Sequence, residues 1–200
     1  MKPEDIGIGF DFQGTIAPFS TSEAVRRCSA ECGISQKEII TAITIPGEED
    51  LIGEENLRKC YSVFHQEIIK AKPYPEILQI IKSLREGGYV TFISSSGPCA
   101  AIEEWLKRNN AEKDIVLVYG REDGGKSRHI ENIRNNFELE KVIMIGNEPR
   151  DFGNGADIEV AVNVPIEDWS DLDEFANIVL VSDQPLDEIL LPSILIEQNL

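Results

Sequence analysis

Asp11 follows an apolar run, residues 6–10, and is followed in turn by Gln13, Gly14 and Thr15. A carboxylate in such a position acts either as a nucleophile or as an oxygen ligand for a hard metal ion. Gly14 allows a sharp turn that points backbone amides towards whatever the carboxylate holds. The simpler alternative is an aspartate that only caps the segment after a strand.

Two further stretches offer groups that bind anions. Ser94 and Ser95 end the apolar run "YVTFISS" and precede Gly97 and a predicted helix, so hydroxyls and free amides there suit an anion. Lys126 follows two glycines at the predicted start of another helix, where its ammonium could reach a phosphate. Serines that cap a helix and a lysine charge in solvent are the ordinary alternatives.

The apolar run "VIMIG" ends in a turn that carries Asn147, Glu148 and Asp151. Oxygen ligands at this position would complete a magnesium site together with Asp11. An acidic turn is also expected without any metal, because the chain has 36 Asp and Glu against 19 Lys and Arg. The resulting net charge of −17 argues against binding to a nucleic-acid backbone.

Apolar periodicity predicts the elements that position these groups. After a first strand, residues 21 to about 70 follow a helical pattern, which predicts an all-helical insert of about fifty residues. Strands and helices then alternate up to a closing helix, which is typical of a doubly wound parallel sheet of about five or six strands. Because functional groups cluster at the carboxyl ends of such strands, Asp11, Ser94 and the Asn147 turn are expected to meet there.

In this order the four stretches resemble the signature of the haloacid dehalogenase-like hydrolases. That signature is a strand ending in Asp-x-Asp-x-Thr, a strand ending in Ser or Thr, a lysine, and Gly-Asp-x-x-x-Asp. The matching residues here are 11–15, Ser94, Lys126 and 146–151. The segment "KPYPEILQIIKSLREGGY" also resembles phosphoglycolate phosphatase-like members, and the helical insert matches the position of their small cap.

The resemblance implies an α/β core domain of residues 1–18 and 72–200, with a helical cap of residues 19–71. It also implies hydrolysis of a small phosphorylated metabolite through an aspartyl phosphate, with Mg²⁺ as the cofactor. The family pattern assigns catalysis to Asp11, Gln13 and Lys126, phosphate binding to Thr15, Ser94, Ser95 and Lys126, and metal binding to Asp11, Gln13, Asn147 and Asp151.

Two residues depart from the family pattern. Gln13 replaces the aspartate that protonates the leaving group, and an amide has no titratable proton near neutral pH. Asn147 replaces a metal-binding aspartate and brings an oxygen without a charge. We therefore expect attenuated acid–base catalysis and a weakened magnesium site, to which Gln13 would contribute its backbone carbonyl.

These departures leave three functions open. The protein could be a phosphatase or phosphotransferase that uses another acid, such as Glu148, or an activated leaving group. It could be a metal-independent hydrolase of carbon–halogen bonds, with Arg26 and Arg27 available to bind a halide and a carboxylate. It could also be a catalytically silent relative that binds a phosphorylated ligand or a protein.

The remaining sequence features bear on the location of the protein, on its cysteines and on the positions of a few aromatic residues. The sequence has no apolar run of about eighteen residues and no signal-peptide pattern, so we expect a cytoplasmic protein that does not bind membranes. Its four cysteines are irregularly spaced, which favours reduced thiols. Tyr61 and Phe64 are expected to pack within the cap, and His129 is expected on the surface. The oligomeric state is left open.

Overall fold

The centre of the protein is a parallel sheet of six strands. The computed structural model describes residues 2–44, 48–74, 76–164 and 178–181. The strands are β1 (Ile6–Phe10), β2 (Val90–Ser94), β3 (Leu117–Tyr119), β4 (Lys141–Gly146), β5 (Ile158–Val164) and β6 (Ile178–Val181). Their order across the sheet is β3-β2-β1-β4-β5-β6, and every neighbouring pair is parallel. The predicted doubly wound sheet is confirmed.

Helices cover both faces of the sheet. The six α-helices of the described residues are α1 (Thr21–Cys32), α2 (Gln36–Thr44), α3 (Glu54–Lys70), α4 (Ile77–Glu86), α5 (Cys99–Arg108) and α6 (Lys126–Phe137). Helices α4 and α5 pack their buried apolar side chains on one face, around Phe10 and Trp105. Helix α6 packs Ile130 and Ile133 against Phe92 on the other face. None of the helices in the described ranges is long and apolar enough to cross a membrane.

The register of the central strands brings their carboxyl ends level. Phe10 in β1 pairs with Ile93 in β2 on one side and with Ile145 in β4 on the other. Each of these three residues is fully buried, which fixes the register because a slip by one residue would turn apolar side chains away from their helices. The residues that follow, Asp11, Ser94 and Gly146, therefore lie side by side at the carboxyl ends of these strands.

Helices α1, α2 and α3 form the predicted helical insert, called the cap below. They enclose a small apolar core of their own, formed by Ala24, Val25, Cys28, Ile39, Ala42, Ile52, Cys60 and Val63. Its cysteines and Cys99 are free thiols. The cap limits of 19 and 71 stay a prediction. The predicted closing helix lies outside the described residues.

Candidate active site

Asp11, Lys126 and Asp151 form a buried cluster at the carboxyl edge of the sheet. The ammonium of Lys126 lies 2.6 Å from Oδ1 of Asp11 and 3.1 Å from Oδ1 of Asp151. It also donates to the backbone carbonyl of Ser94, at 2.8 Å. An ammonium has three N–H groups, so the protein itself satisfies all of them. Lys126 therefore fixes Asp11 in place and leaves its Oδ2 as the oxygen that can react.

The environment shifts the pKa values of this cluster. Burial raises the pKa of Asp11 to about 6, while the charge of Lys126 acts to lower it and that of Asp151 to raise it. Arg150 also lowers the pKa of Asp11, by a smaller amount. Burial acts to lower the pKa of Lys126, but attraction by Asp11 and Asp151 outweighs it and the net pKa is raised. Asp11 is therefore mostly ionised and Lys126 fully charged at neutral pH.

Asp151 is held by the turn that follows β4. Its Oδ2 accepts hydrogen bonds from the backbone N–H groups of Asn147 and Glu148, both at 2.9 Å. Its carboxylate packs against Gly146, where any Cβ would clash with it. Since Oδ1 contacts Lys126, most of the acceptor capacity of Asp151 is used within the protein.

The side chain of Gln13 points towards the chain that enters the cap. Its Nε2 donates to the carbonyl oxygen of Phe19, at 3.3 Å, and to the hydroxyl of Thr21, the first residue of α1. Both N–H groups of the amide are therefore committed to the core–cap connection. The family's acid in this position is replaced here by a structural contact.

The side chains of Thr15 and Asn147 contact one another. The Thr15 hydroxyl donates to Oδ1 of Asn147 at 3.3 Å. The Asn147 side chain lies directly against Gly14, whose φ of +81° and lack of a Cβ permit the approach. Thr15 is fully buried, so its hydroxyl supports Asn147 rather than lining an open site.

The side chain of Ser94 contacts helix α6. Its Oγ lies 2.9 Å from Nδ1 of His129, and both residues are buried. The His129 ring also stacks on Tyr119, with ring centroids 5.2 Å apart. Burial and the nearby charge of Lys126 lower the pKa of His129, so the ring is neutral at pH 7. The surface position predicted for His129 is wrong.

A pocket of about 80 Å³ lies between this cluster and the cap. The sheet edge and its loops contribute Asp11, Ser95, Ser96, Gly97, Arg121 and Arg150. The cap and its connection contribute Phe19, Thr21, Ile43, Tyr61 and Phe64. Gln13 also lines the pocket, whereas Ser94 and Thr15 do not. Tyr61 and Phe64, expected to pack only within the cap, face this pocket as well.

A comparison with known protein families identifies the family of this chain. The model of the haloacid dehalogenase-like hydrolases matches residues 8–164, which include Asp11, Lys126 and Asp151. The chain belongs to this family. No curated protein matches the sequence.

Solved structures of haloacid dehalogenase-like phosphatases share the fold. A predicted phosphatase from Clostridium acetobutylicum has a TM-score of 0.71 at 16% identity, over 92% of this chain and 97% of that one. A predicted phosphoglycolate phosphatase from Haemophilus somnus has a TM-score of 0.65 at 13% identity, over 86% and 92%. A phosphoserine phosphatase has a TM-score of 0.63 at 19% identity, over 95% and 98%. At these identities the likeness concerns the fold.

Two arginines of the pocket, Arg121 and Arg150, are not among the residues that the sequence predicts for the site. Arg150 lies on the turn that ends in Asp151, and its Nε forms an ion pair with Glu148 at 2.7 Å. Arg121 follows β3 and donates to the backbone carbonyls of Ala42, at 3.0 Å, and Ile43 in the cap. Because both follow sheet strands at the carboxyl edge, the rule that located Asp11 would also have located them.

The family's magnesium ion fits these residues poorly. Of the predicted ligands, Asp11 offers one carboxylate oxygen that has no partner among the described residues, while Asn147 and the Gln13 carbonyl offer neutral oxygens. Both oxygens of Asp151 already bind protein donors. Within the described ranges there is no group of three His, Cys, Asp or Glu side chains that could hold a metal. Mg²⁺ is a hard cation that binds chiefly through carboxylates and phosphates, so this donor set is weak.

Proposed function

We propose that this protein hydrolyses a small phosphorylated metabolite through an aspartyl phosphate on Asp11. The observation that carries the proposal is the 2.6 Å contact between the Lys126 ammonium and Oδ1 of Asp11 at the wall of the pocket. This contact keeps a buried carboxylate charged and directs its second oxygen to the substrate. Membership of a hydrolase family supports the same chemistry.

The reaction has two displacement steps. In the first, Oδ2 of Asp11 attacks the phosphorus, and the bond between phosphorus and the leaving oxygen breaks. In the second, water attacks the phosphorus of the aspartyl phosphate, which releases inorganic phosphate and restores Asp11. The transition states spread negative charge over the phosphoryl oxygens, so positioned donors such as the Ser95 hydroxyl supply much of the stabilisation.

Gln13 makes both steps slow for ordinary esters. The leaving oxygen needs a proton in the first step, and the attacking water must lose one in the second. The Gln13 amide cannot exchange protons, and both of its N–H groups are committed to Phe19 and Thr21. Acid–base help is typically worth ~10²–10⁴ in rate, so a substrate with an activated leaving group suits this site best.

Trapping the intermediate tests this proposal. The protein would be mixed with acetyl phosphate, whose leaving group needs no acid, and its intact mass would be measured over time. We expect a gain of one phosphoryl group that decays slowly, and no gain in Asp11→Asn. No gain in the wild-type protein, with or without magnesium, would contradict the proposal.

A silent relative that only binds a phosphorylated ligand is the second candidate. It is favoured by the side chains of Gln13 and Asn147, whose polar groups both form hydrogen bonds to the protein. Such a protein would bind phosphate without forming the aspartyl phosphate. The dehalogenase alternative would instead release halide from a 2-haloacid without magnesium.

The other parts of the functional assignment follow from the same hypothesis. Weak Mg²⁺ binding by Asp11, the Gln13 carbonyl, Asn147 and Asp151 stays a prediction. A small phosphorylated molecule is the proposed partner, and a cytoplasmic location also stays a prediction.

A further inference from the structure

Arg150 differs from the other cations of the site in its bonding. Its Nε is paired with Glu148, and within the described part of the chain neither of its Nη atoms has an acceptor. It lines the same pocket as Asp11, and its charge acts on that carboxylate. By contrast, Lys126 has used all three of its N–H groups on Asp11, Asp151 and the Ser94 carbonyl.

Arg121, the second guanidinium of the pocket, is committed to the cap. It donates to the carbonyl groups of Ala42 and Ile43 and lies over the Tyr61 ring, 5.8 Å from its centroid. Arg150 therefore has the uncommitted N–H groups among the pocket's cations. A guanidinium presents such groups as a planar fork that matches two oxygens of a phosphoryl group.

The buried cluster carries more negative than positive charge, and Glu148 offsets the charge of Arg150 until a phosphoryl group competes with that carboxylate. Asp11 and Asp151 carry two negative charges and Lys126 one positive charge, so the cluster is net negative when all are ionised. A phosphate dianion that approaches Asp11 needs another cation. In the family that cation is a metal, but here Asn147 has replaced a charged ligand and Asp151 is bonded to protein donors.

We infer that Arg150 binds the phosphoryl group and supplies the positive charge that a metal ion supplies in the family pattern, so that this site binds phosphate without magnesium. This inference rests on the proposed function, because it needs the phosphoryl group to bind beside Asp11.

Equilibrium dialysis of inorganic phosphate tests the inference. The wild-type protein would be measured in EDTA and in magnesium beside Arg150→Gln, Arg150→Lys and the matched control Arg58→Gln. Arg58 is an exposed arginine paired with Glu54 on α3, outside the pocket. We expect the wild-type Kd to be similar in both buffers. We expect Arg150→Gln to weaken binding about 10–100-fold, Arg150→Lys to weaken it less, and the control to leave it unchanged.

The variant Glu148→Gln distinguishes phosphate binding by Arg150 from phosphate binding through a metal ion. If Arg150 is the cation, loss of its competing carboxylate should leave phosphate binding in EDTA unchanged or stronger. If Glu148 helps to hold a metal, the same change should weaken binding that depends on magnesium.

Three results would overturn the inference. Phosphate binding that requires magnesium would overturn it and leave the proposed function intact. Equal binding by Arg150→Gln and the wild-type protein in EDTA would do the same. A wild-type protein that binds no phosphate in either buffer would overturn the inference, and the proposed function would fall as well if acetyl phosphate also left its mass unchanged.

Discussion

The side-chain nitrogen of Gln13 lies 3.3 Å from the carbonyl oxygen of Phe19, so the residue that replaces the family's acid joins the core to the cap. The same nitrogen also donates to the hydroxyl of Thr21. An aspartate has no N–H group and could not make either donation. A glutamine at this position therefore has two consequences: the site lacks the family's acid, and the core gains a hydrogen-bonded connection to the cap.

Gln13→Glu should destabilise the protein. The change places a carboxylate against the Phe19 carbonyl and removes a part-buried donor, which typically costs about 1–3 kcal/mol. Urea unfolding would measure the loss, with Gln79→Glu on an exposed face of α4 as the control. An equal free energy of unfolding for both variants would mean that the Gln13 contact contributes nothing.

Gln13→Asp should shorten the life of the aspartyl phosphate. A carboxylate in this position can take the proton of the attacking water, which is typically worth ~10²–10⁴ in rate. The decay of the phosphorylated protein can be followed by intact mass. Gln13→Asn is the control, because it shortens the side chain without providing a base. Similar decay in the two variants would show that another group already activates the water.

Asn147→Asp should tighten magnesium binding. The change adds a charged hard ligand at a predicted metal-binding position, where the wild-type protein offers an amide oxygen. Titration calorimetry would compare it with Asn135→Asp, which adds the same charge on an exposed part of α6. If both variants bind magnesium like the wild-type protein, Asn147 does not face the metal.

Phosphorylation of Asp11 by acetyl phosphate should slow as the pH falls through about 6. Burial raises the pKa of Asp11 to about 6, and only the ionised carboxylate attacks phosphorus. Below that value the ionised fraction falls about tenfold per pH unit. The initial rate of mass gain between pH 7.5 and 4.5, a range chosen on each side of this pKa, checks the prediction. A flat profile would argue against a raised pKa.

Lys126→Met should be strongly destabilising. The variant leaves Asp11 and Asp151 buried near one another without their cation, and the loss of one partner from a buried pair costs about 3–5 kcal/mol. Denaturant unfolding at neutral pH measures this cost. Adding Asp11→Asn to the variant removes one stranded charge and should recover part of the stability. No recovery would mean that the loss comes from packing.

The sequence was sufficient to place Asp11 and Ser94 at the same edge of the sheet because both residues follow apolar runs, whereas their roles stay a prediction. Asp11 and Ser94 each come at or after the end of a buried run, and the pairing of Phe10 with Ile93 brings them level. The directions of the side chains could not be derived in this way. Ser94 bonds to His129, which is 35 residues away in sequence, so its orientation depends on how α6 packs.

The surface position predicted for His129 was wrong, although the residue spacing in α6 indicates a buried position. Lys126, His129, Ile130 and Ile133 are spaced by three and four residues and form the buried face of α6. This is the spacing of an amphipathic helix, and it places His129 inside once Lys126 is taken as a site residue. No comparable pattern predicts the direction of the Gln13 side chain, because its partners Phe19 and Thr21 lie on an irregular segment and at the start of α1.

Arg121 donates hydrogen bonds to the carbonyls of Ala42 and Ile43, so the stability of the last turn of α2 depends on the position of the cap. Carbonyl groups in the last turn of a helix lack partners within the helix, and here a side chain from the opposite wall of the cleft supplies them. If the cap moved away from the sheet, that turn would lose these donors and fray. Amide exchange at the end of α2 would therefore report how often the cleft opens in solution, before any substrate is known.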